Sequence, residues 1–327
     1  MPMRAAQDTD VTANAQWTMR SAALTLLAVA AACMSPRSET GSAWQVGAAA
    51  IDSVRLMQDI SVLAHDSMEG RLVGTPGGAR ARTFLDRSFR ERGLRPIGGS
   101  TYQHPFSFTR RDTSVTGVNV VGYVPGSTRT ASYIVVTAHY DHVGVRNGEI
   151  YNGADDNASG TAALLAIADY FTRNQPRHSI IFAALDAEEG GLRGAGAFVD
   201  SPPVALEAIV LNINMDMVGR NDAGELYVAG THHYPQLLPA VEQIAQNAEV
   251  RLIPGHDTAG PQPSDDWTSA SDHAAFHRAG IPFLYFGVED HADYHRPTDE
   301  LSGIQPGFYA RAVRTVLEAV RLLDSTL

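Results

Sequence analysis

The sequence predicts an α/β protein in which a mixed, mostly parallel sheet is covered by helices on both faces. Two observations carry that expectation. The first is a set of short apolar runs with little polar alternation: Tyr133–Thr137 (YIVVT), His178–Leu185 (HSIIFAAL), Ile209–Asn214 (IVLNIN) and Pro282–Phe286 (PFLYF). A strand that is apolar on successive residues is buried on both sides, as in a parallel sheet between helices. The second is that segments of helical period fall between these runs, which is the strand–helix alternation of α/β folds. The chain has 327 residues, 44% hydrophobic and 19% charged, enough for one or two domains with a sizeable core.

Taken in order, Ile51–His65 spaces Leu56, Ile60 and Leu63 as one helical face. GRLVGTPGG follows; without a lysine or a preceding strand it reads as the turn into a helix rather than a phosphate loop. That helix is Ala79–Arg92, closed by Gly93, and its arginines are interrupted by Asp86 and Glu91, as on a solvated face. Val118–Val124 and Tyr133–Thr137 are β-rich runs, and Ala158–Thr172 is helical. Strands at 178–185 and 209–214 lead to a helix over Pro235–Asn247 and a strand at 282–286. Phe308–Leu323 is an amphipathic closing helix. No internal repeat appears, and residues 51–327 read as one catalytic domain.

Charge and composition exclude much chemistry. Lys+Arg is 25 against 36 Asp+Glu, a net charge of −11, so no general positive field exists for nucleic acid. Every basic residue is arginine, which removes Schiff-base, P-loop and other catalytic lysines. The single cysteine, Cys33, rules out a disulfide framework and Cys-ligated zinc or iron–sulfur sites within one chain. The 12 histidines and 36 carboxylates remain as metal ligands.

The N-terminal end carries its own signal. Residues 21–32 (SAALTLLAVAAA) follow Arg20 and are too few to span a bilayer, which needs about 20 residues. The small residues before Cys33 resemble a bacterial lipoprotein signal, so residues 1–33 read as a signal peptide and Cys33 as a lipid anchor. Met19 offers an alternative start. Residues 34–50 read as a tether, and Met34 points to the outer membrane by the usual sorting pattern, with the periplasm as the alternative. Membrane attachment is thus expected through lipid, not a spanning helix.

Four apolar runs end in polar clusters. YIVVTA leads to His139-Tyr140-Asp141-His142, HSIIFAAL to Asp186-Ala187-Glu188-Glu189, IVLNIN to Met215-Asp216, and PFLYF to Glu289-Asp290-His291 and then Asp293-Tyr294-His295. Asn152–Gly160 (NGADDNASG) lies between the first two. Ligands of open α/β sheets bind beyond the carboxyl ends of the strands. One such cluster is an ordinary turn or helix cap, but several aimed at one rim crowd like charges that cations would relieve.

In this order, AHYDHVG, NGADDNASG, LDAEEGGLRGA, NMDMVG and DYHRPTDE resemble the co-catalytic dizinc exopeptidases of clan MH, the aminopeptidase Y-like family. MEGRLVGTPGG, NVVGYVPG and SDHAAFHRAGIP are supporting matches, and the resemblance covers about residues 55–322. It implies the zinc exopeptidase, phosphorylase/hydrolase-like fold and two Zn²⁺ per chain. His139 and Asp216 are then the ligands of one zinc, Glu189 and His295 those of the other, and Asp156 bridges them. Asp155 is left as a cap or loop hydrogen bonder. Asp141 is implied to orient the His139 imidazole, and Glu188 to be the general base that takes a proton from a bridging water. His142 and His291 fall off the pattern, and His232-His233 reads as surface. Asp272 and His273 read as hydrogen bonders near the site, and Tyr294 as a possible donor to an oxyanion.

The implied activity is an exported aminopeptidase acting on peptides with a free N-terminus, since an acid-rich rim favours a protonated α-amine. Glutaminyl cyclisation, commonly a one-zinc reaction, and carboxypeptidase action are alternatives on the same fold. An inactive binding module is disfavoured, because all five ligands and Glu188 are present.

Overall fold

The computed structural model describes residues 50–262 and 265–327; the segment read as a signal peptide (1–33), Cys33 and all but the last residue of the segment read as a tether (34–50) lie outside them. Helix α1 (Ser53–Leu63) starts where the Asp52 carboxylate accepts from the Val54 and Arg55 amides, both at 3.0 Å, and buries Leu56, Ile60 and Leu63. Helix α2 (Pro76–Glu91) is capped by Thr75, with Pro76 in its first turn. Strands β1 (Arg95–Pro96), β2 (Gln103–Arg110), β3 (Thr113–Val124) and β4 (Arg129–His139) follow, then a small hairpin of β5 (Gly144–Arg146) and β6 (Glu149–Tyr151). After them come α3 (Gly160–Arg173), β7 (His178–Leu185), α4 (Arg193–Asp200), β8 (Ile209–Met215) and β9 (Glu225–Ala229). The chain continues through α5 (Leu238–Asn247), β10 (Arg251–Pro254), α6 (His273–Arg278) and β11 (Phe283–Gly287), and ends in α7 (Pro306–Thr326).

Nine strands form one sheet in the order β1-β3-β7-β4-β8-β11-β9-β10, with β2 paired to β3. At its centre β7, β4, β8 and β11 are parallel neighbours, while β1, β2 and β3 pair antiparallel on one side. The expected mixed, mostly parallel arrangement is therefore present. Alternate residues of β7 explain its unbroken apolar sequence. Ile180, Phe182 and Ala184 join one core with α1, α3 and α7, while Ile181, Ala183 and Leu185 join another with Phe198 of α4 and Phe276 of α6.

Every element read from the sequence is present, most with shifted ends; the 235–247 helix opens as a 3-10 turn before α5. Unread elements lie mainly at the margins. Strand β2 contains Pro105, tolerated because its partner is β3 alone, and β9 and β10 are five and four residues long. Helices α4 and α6 have eight and six residues, too few for a 3.6 period to register. No helix among the described residues is long and apolar enough to cross a membrane.

Candidate metal centre and active site

The parallel strands place their polar ends at one rim. Strand β4 ends on His139, in register with Leu185 of β7, so His139 stands beside the Asp186–Glu189 turn. Strand β8 ends at Met215, and Asp216 follows. Non-glycine residues at left-handed φ occur in these loops: Ala187 at 60°, Met217 at 59° and His295 at 53°. Such strain persists where a site over-determines the backbone.

Two groups of side chains converge there, sharing Asp156. In one, His139 Nε2 lies 3.2 Å from Asp216 Oδ1 and 3.5 Å from Asp156 Oδ1. In the other, His295 Nε2 lies 3.1 Å from Asp156 Oδ2 and 3.2 Å from Glu189 Oε1. The five residues implied as ligands are thus brought together. A sixth joins them: His142 Nδ1 is 2.7 Å from Glu189 Oε1 and 3.7 Å from Asp156 Oδ2. His291, the other histidine set aside, instead faces Asp155 Oδ2 at 3.2 Å.

The loop bearing Asp156 is held from several directions. Asp299 accepts from the Asp155 and Asp156 amides, each at 3.0 Å. Asn157 donates to the Met215 carbonyl at 2.9 Å and accepts from the Gly160 amide at 2.8 Å. Asp155 turns away and accepts from the Gly219 amide at 2.7 Å, the loop-bonding part expected of it. Beneath lies the fully buried Arg71 of the MEGRLVG segment. Its guanidinium donates to the carbonyls of Tyr140 (2.7 Å), Leu63 (2.7 Å), Asn152 (2.6 Å) and Gly153 (2.9 Å), tying both ligand loops to one cation. Burial pushes Arg71 down to about 10, opposed by the carboxylates of Asp156, Asp299, Asp141 and Glu189. The sequence offered Arg71 and Asp299 only as members of matching segments, without roles.

Burial and crowding of like charge dominate the electrostatics of the site. Burial raises Glu188 well above the usual carboxylate range despite His139, with Asp272, Asp216 and Asp141 adding to the rise. Burial also takes Asp272 up to about 7, despite His139; neither Asp272 carboxylate oxygen has a hydrogen-bond partner. Burial disfavours charge on His139, yet Asp216, Glu188 and Asp156 outweigh it and hold the imidazole well above its ordinary value. His295 is held up to about 10 by Asp156 and Glu189. The carboxylates thus set a strongly negative potential around both imidazoles. Both nitrogens of buried His142 and Glu189 Oε1 have no hydrogen bond of good geometry. Imidazole and carboxylate donors in groups of three and four fit zinc.

Asp141 faces both His139 and the turn that carries Glu188. The Asp141 carboxylate lies 3.7 Å from His139 Nδ1, whereas the Asp141 backbone carbonyl is closer, at 3.2 Å. Oδ1 of that carboxylate instead accepts from the Glu188 amide at 2.9 Å. The main chain is the nearer partner of the imidazole, and the carboxylate, next to the same ring, also holds the turn carrying Glu188. A small cleft of about 70 Å³ opens here, lined by His139, Asp156, Glu188, Asp216, Trp267 and Tyr294 among others. Tyr294 stacks on His295 with ring centroids 4.0 Å apart. His273 sits behind the cleft, its Nε2 2.8 Å from the Trp267 carbonyl and its ring stacked on Tyr285. His232 is exposed as expected, but His233 is half-buried, its Nε2 2.8 Å from Thr268 Oγ1.

Residues 119–320, more than half the chain, match Peptidase family M28. The chain belongs to Peptidase family M28. It is 32% identical over 221 residues to aminopeptidase YwaD of Bacillus subtilis, covering 64% of this chain and 45% of that protein. Leucine aminopeptidase 2 of Trichophyton equinum is 26% identical over 241 residues, covering 70% of this chain and 46% of the relative. The chain thus spans about half the length of these relatives. Among solved structures, the aminopeptidase from Aneurinibacillus sp. strain AM-1 superposes with a TM-score of 0.66 at 17% identity, covering 84% of this chain and 94% of that one. Porphyromonas gingivalis glutaminyl cyclase gives 0.69 at 20% identity, covering 85% and 99%. At such identities the likeness is one of fold, and this M28 chain shares that fold.

Proposed function

We propose that this chain is an exported, zinc-dependent aminopeptidase that removes N-terminal residues from peptides. The observation that carries the reading is the pair of donor groups sharing Asp156, with Glu188 in the same cleft. His139 and Asp216 would hold one zinc, Glu189 and His295 the other, and Asp156 both. Bound zinc would supply a Lewis acid for the scissile carbonyl and a lowered pKa for water. Glu188 takes the proton of the attacking water and returns it to the leaving amine. Trp267 and Tyr294 narrow the cleft, and Asp290, which also lines it, gives a protonated α-amine an anionic partner.

Two donor groups favour peptide hydrolysis over cyclisation, for which one zinc suffices. The names of the M28 relatives agree, two of them being aminopeptidases. Cys33 would carry the lipid that holds the mature enzyme at the outer membrane, and Cys33→Ser should release active enzyme from membranes. The activity is tested with aminoacyl-anilides, N-blocked peptides and N-terminal glutaminyl peptides, each with and without a chelator. Expected is chelator-sensitive release of the first residue from free N-termini only. Hydrolysis of blocked peptides, or cyclisation without hydrolysis, would overturn the reading.

A further inference from the structure

We infer that His142 is a sixth metal-binding side chain, giving one of the two metals four protein ligands and leaving the other with three. The inference rests on the two-zinc reading above and asks how the ligands divide between the metals.

Geometry is the first argument. Four ligand atoms at about 2.0–2.1 Å around one zinc stand about 3.3–3.4 Å apart along the edges of a tetrahedron. Four measured separations among His142 Nδ1, Asp156 Oδ2, Glu189 Oε1 and His295 Nε2 are 2.7, 3.1, 3.2 and 3.7 Å. All four atoms lie within 4.8 Å of one another.

Burial is the second. His142 is 0% exposed, and neither ring nitrogen has a hydrogen-bond partner. A polar ring sealed from water is costly when its nitrogens are left without hydrogen bonds. Its close approach to Glu189 Oε1, at 2.7 Å, lacks hydrogen-bond geometry and leaves the second nitrogen without a partner. Ligation would give Nδ1 a partner. The backbone also makes room for this ring. Gly153 sits at φ 52°, and a Cβ there would fall 2.5 Å from His142 Cδ2 and 2.1 Å from the Asp156 carbonyl oxygen. The glycine that opens the GADDNASG loop is what lets His142 reach the metal side of it.

The consequence is an unequal pair. A zinc with four protein ligands is coordinatively closed, whereas a zinc with three keeps a position for water or substrate. Both donor groups reach the cleft, through His139 and Asp216 on one side and His295 on the other, whereas His142 and Glu189 do not line it.

The test is a crystal structure of the zinc-loaded enzyme with anomalous differences at the zinc edge, together with metal analysis in solution. Two zinc peaks with His142 Nδ1 at bonding distance from one are expected. His142→Ala should then retain one zinc where the wild type retains two, and His142→Asn, close in shape to the Nδ1 side of the ring, covers the case in which the alanine variant does not fold. Two zincs with Nδ1 outside bonding distance, or His142 variants that still hold two zincs with wild-type affinity, would overturn the inference and leave the two-zinc reading standing. A wild-type enzyme that saturates at one zinc would overturn the two-zinc reading itself.

Discussion

The Asp141 carboxylate accepts a hydrogen bond from the backbone amide of Glu188 at 2.9 Å, joining the turn after β4 to the turn after β7. The two residues are 47 apart in sequence, but parallel pairing of β4 with β7 brings their following turns together. The bond acts on the position of the proposed base, while the distance from the same oxygen to His139 Nδ1 is longer, at 3.7 Å. Asp141→Ala should therefore lower turnover by about 10–100-fold, the usual size of a lost supporting bond, with bound zinc little changed. Asp141→Asn, whose amide oxygen still accepts, should lose less. Equal loss in both variants, or zinc loss in either, would argue against this role.

Asp156 presents one oxygen to each donor group, 3.5 Å from His139 on one side and 3.1 Å from His295 on the other. Asp156→Ala should lose both metals together, whereas His295→Ala should weaken chiefly one. Metal analysis after dialysis against graded chelator reads the difference. Normal zinc content in Asp156→Ala would shift the bridging role away from this residue.

Arg71 makes four hydrogen bonds to backbone carbonyls of the segments that carry the site. Arg71→Met fills similar space but leaves those carbonyls buried and unpaired, each worth roughly 1–3 kcal/mol. Because neighbours relax, the net loss should be about 3 kcal/mol or more. Urea unfolding of the chelated protein separates this from metal binding. A loss below 1 kcal/mol would show that water replaces the guanidinium.

What the sequence made legible follows physical lines. The clusters that contain His139, Glu189 and Asp216 could be located because an apolar strand buried on both faces ends abruptly, and the polar residues after it fall on one rim; the resemblance chose among their members. The choice of Asp156 over Asp155 needed the family resemblance. Locally the two are the same acid, and only the Asp299 anchor and the Gly219 amide separate their directions. Arg71 left no pattern, since its acceptors are main-chain carbonyls, three of them 69 to 82 residues away. His142 was passed over because adjacency to a motif carries no direction. What marks it is burial without a partner, visible only in three dimensions.

Glu188 and Glu189 are adjacent, yet only Glu189 belongs to a donor group, while Glu188 lines the cleft beside His139. Glu188→Gln preserves shape and leaves every proposed ligand in place, so zinc should still bind. Its amide cannot take a proton from water, so turnover should fall at least ~100-fold, within the range expected of a general base, with substrate affinity little changed. Glu189→Gln should instead lose zinc from one position and lose activity with it. Measuring zinc content and turnover on both variants makes each the control for the other, one residue apart. Exchanged phenotypes would reverse the two roles, and a fully active Glu188→Gln would end the case for Glu188 as the base.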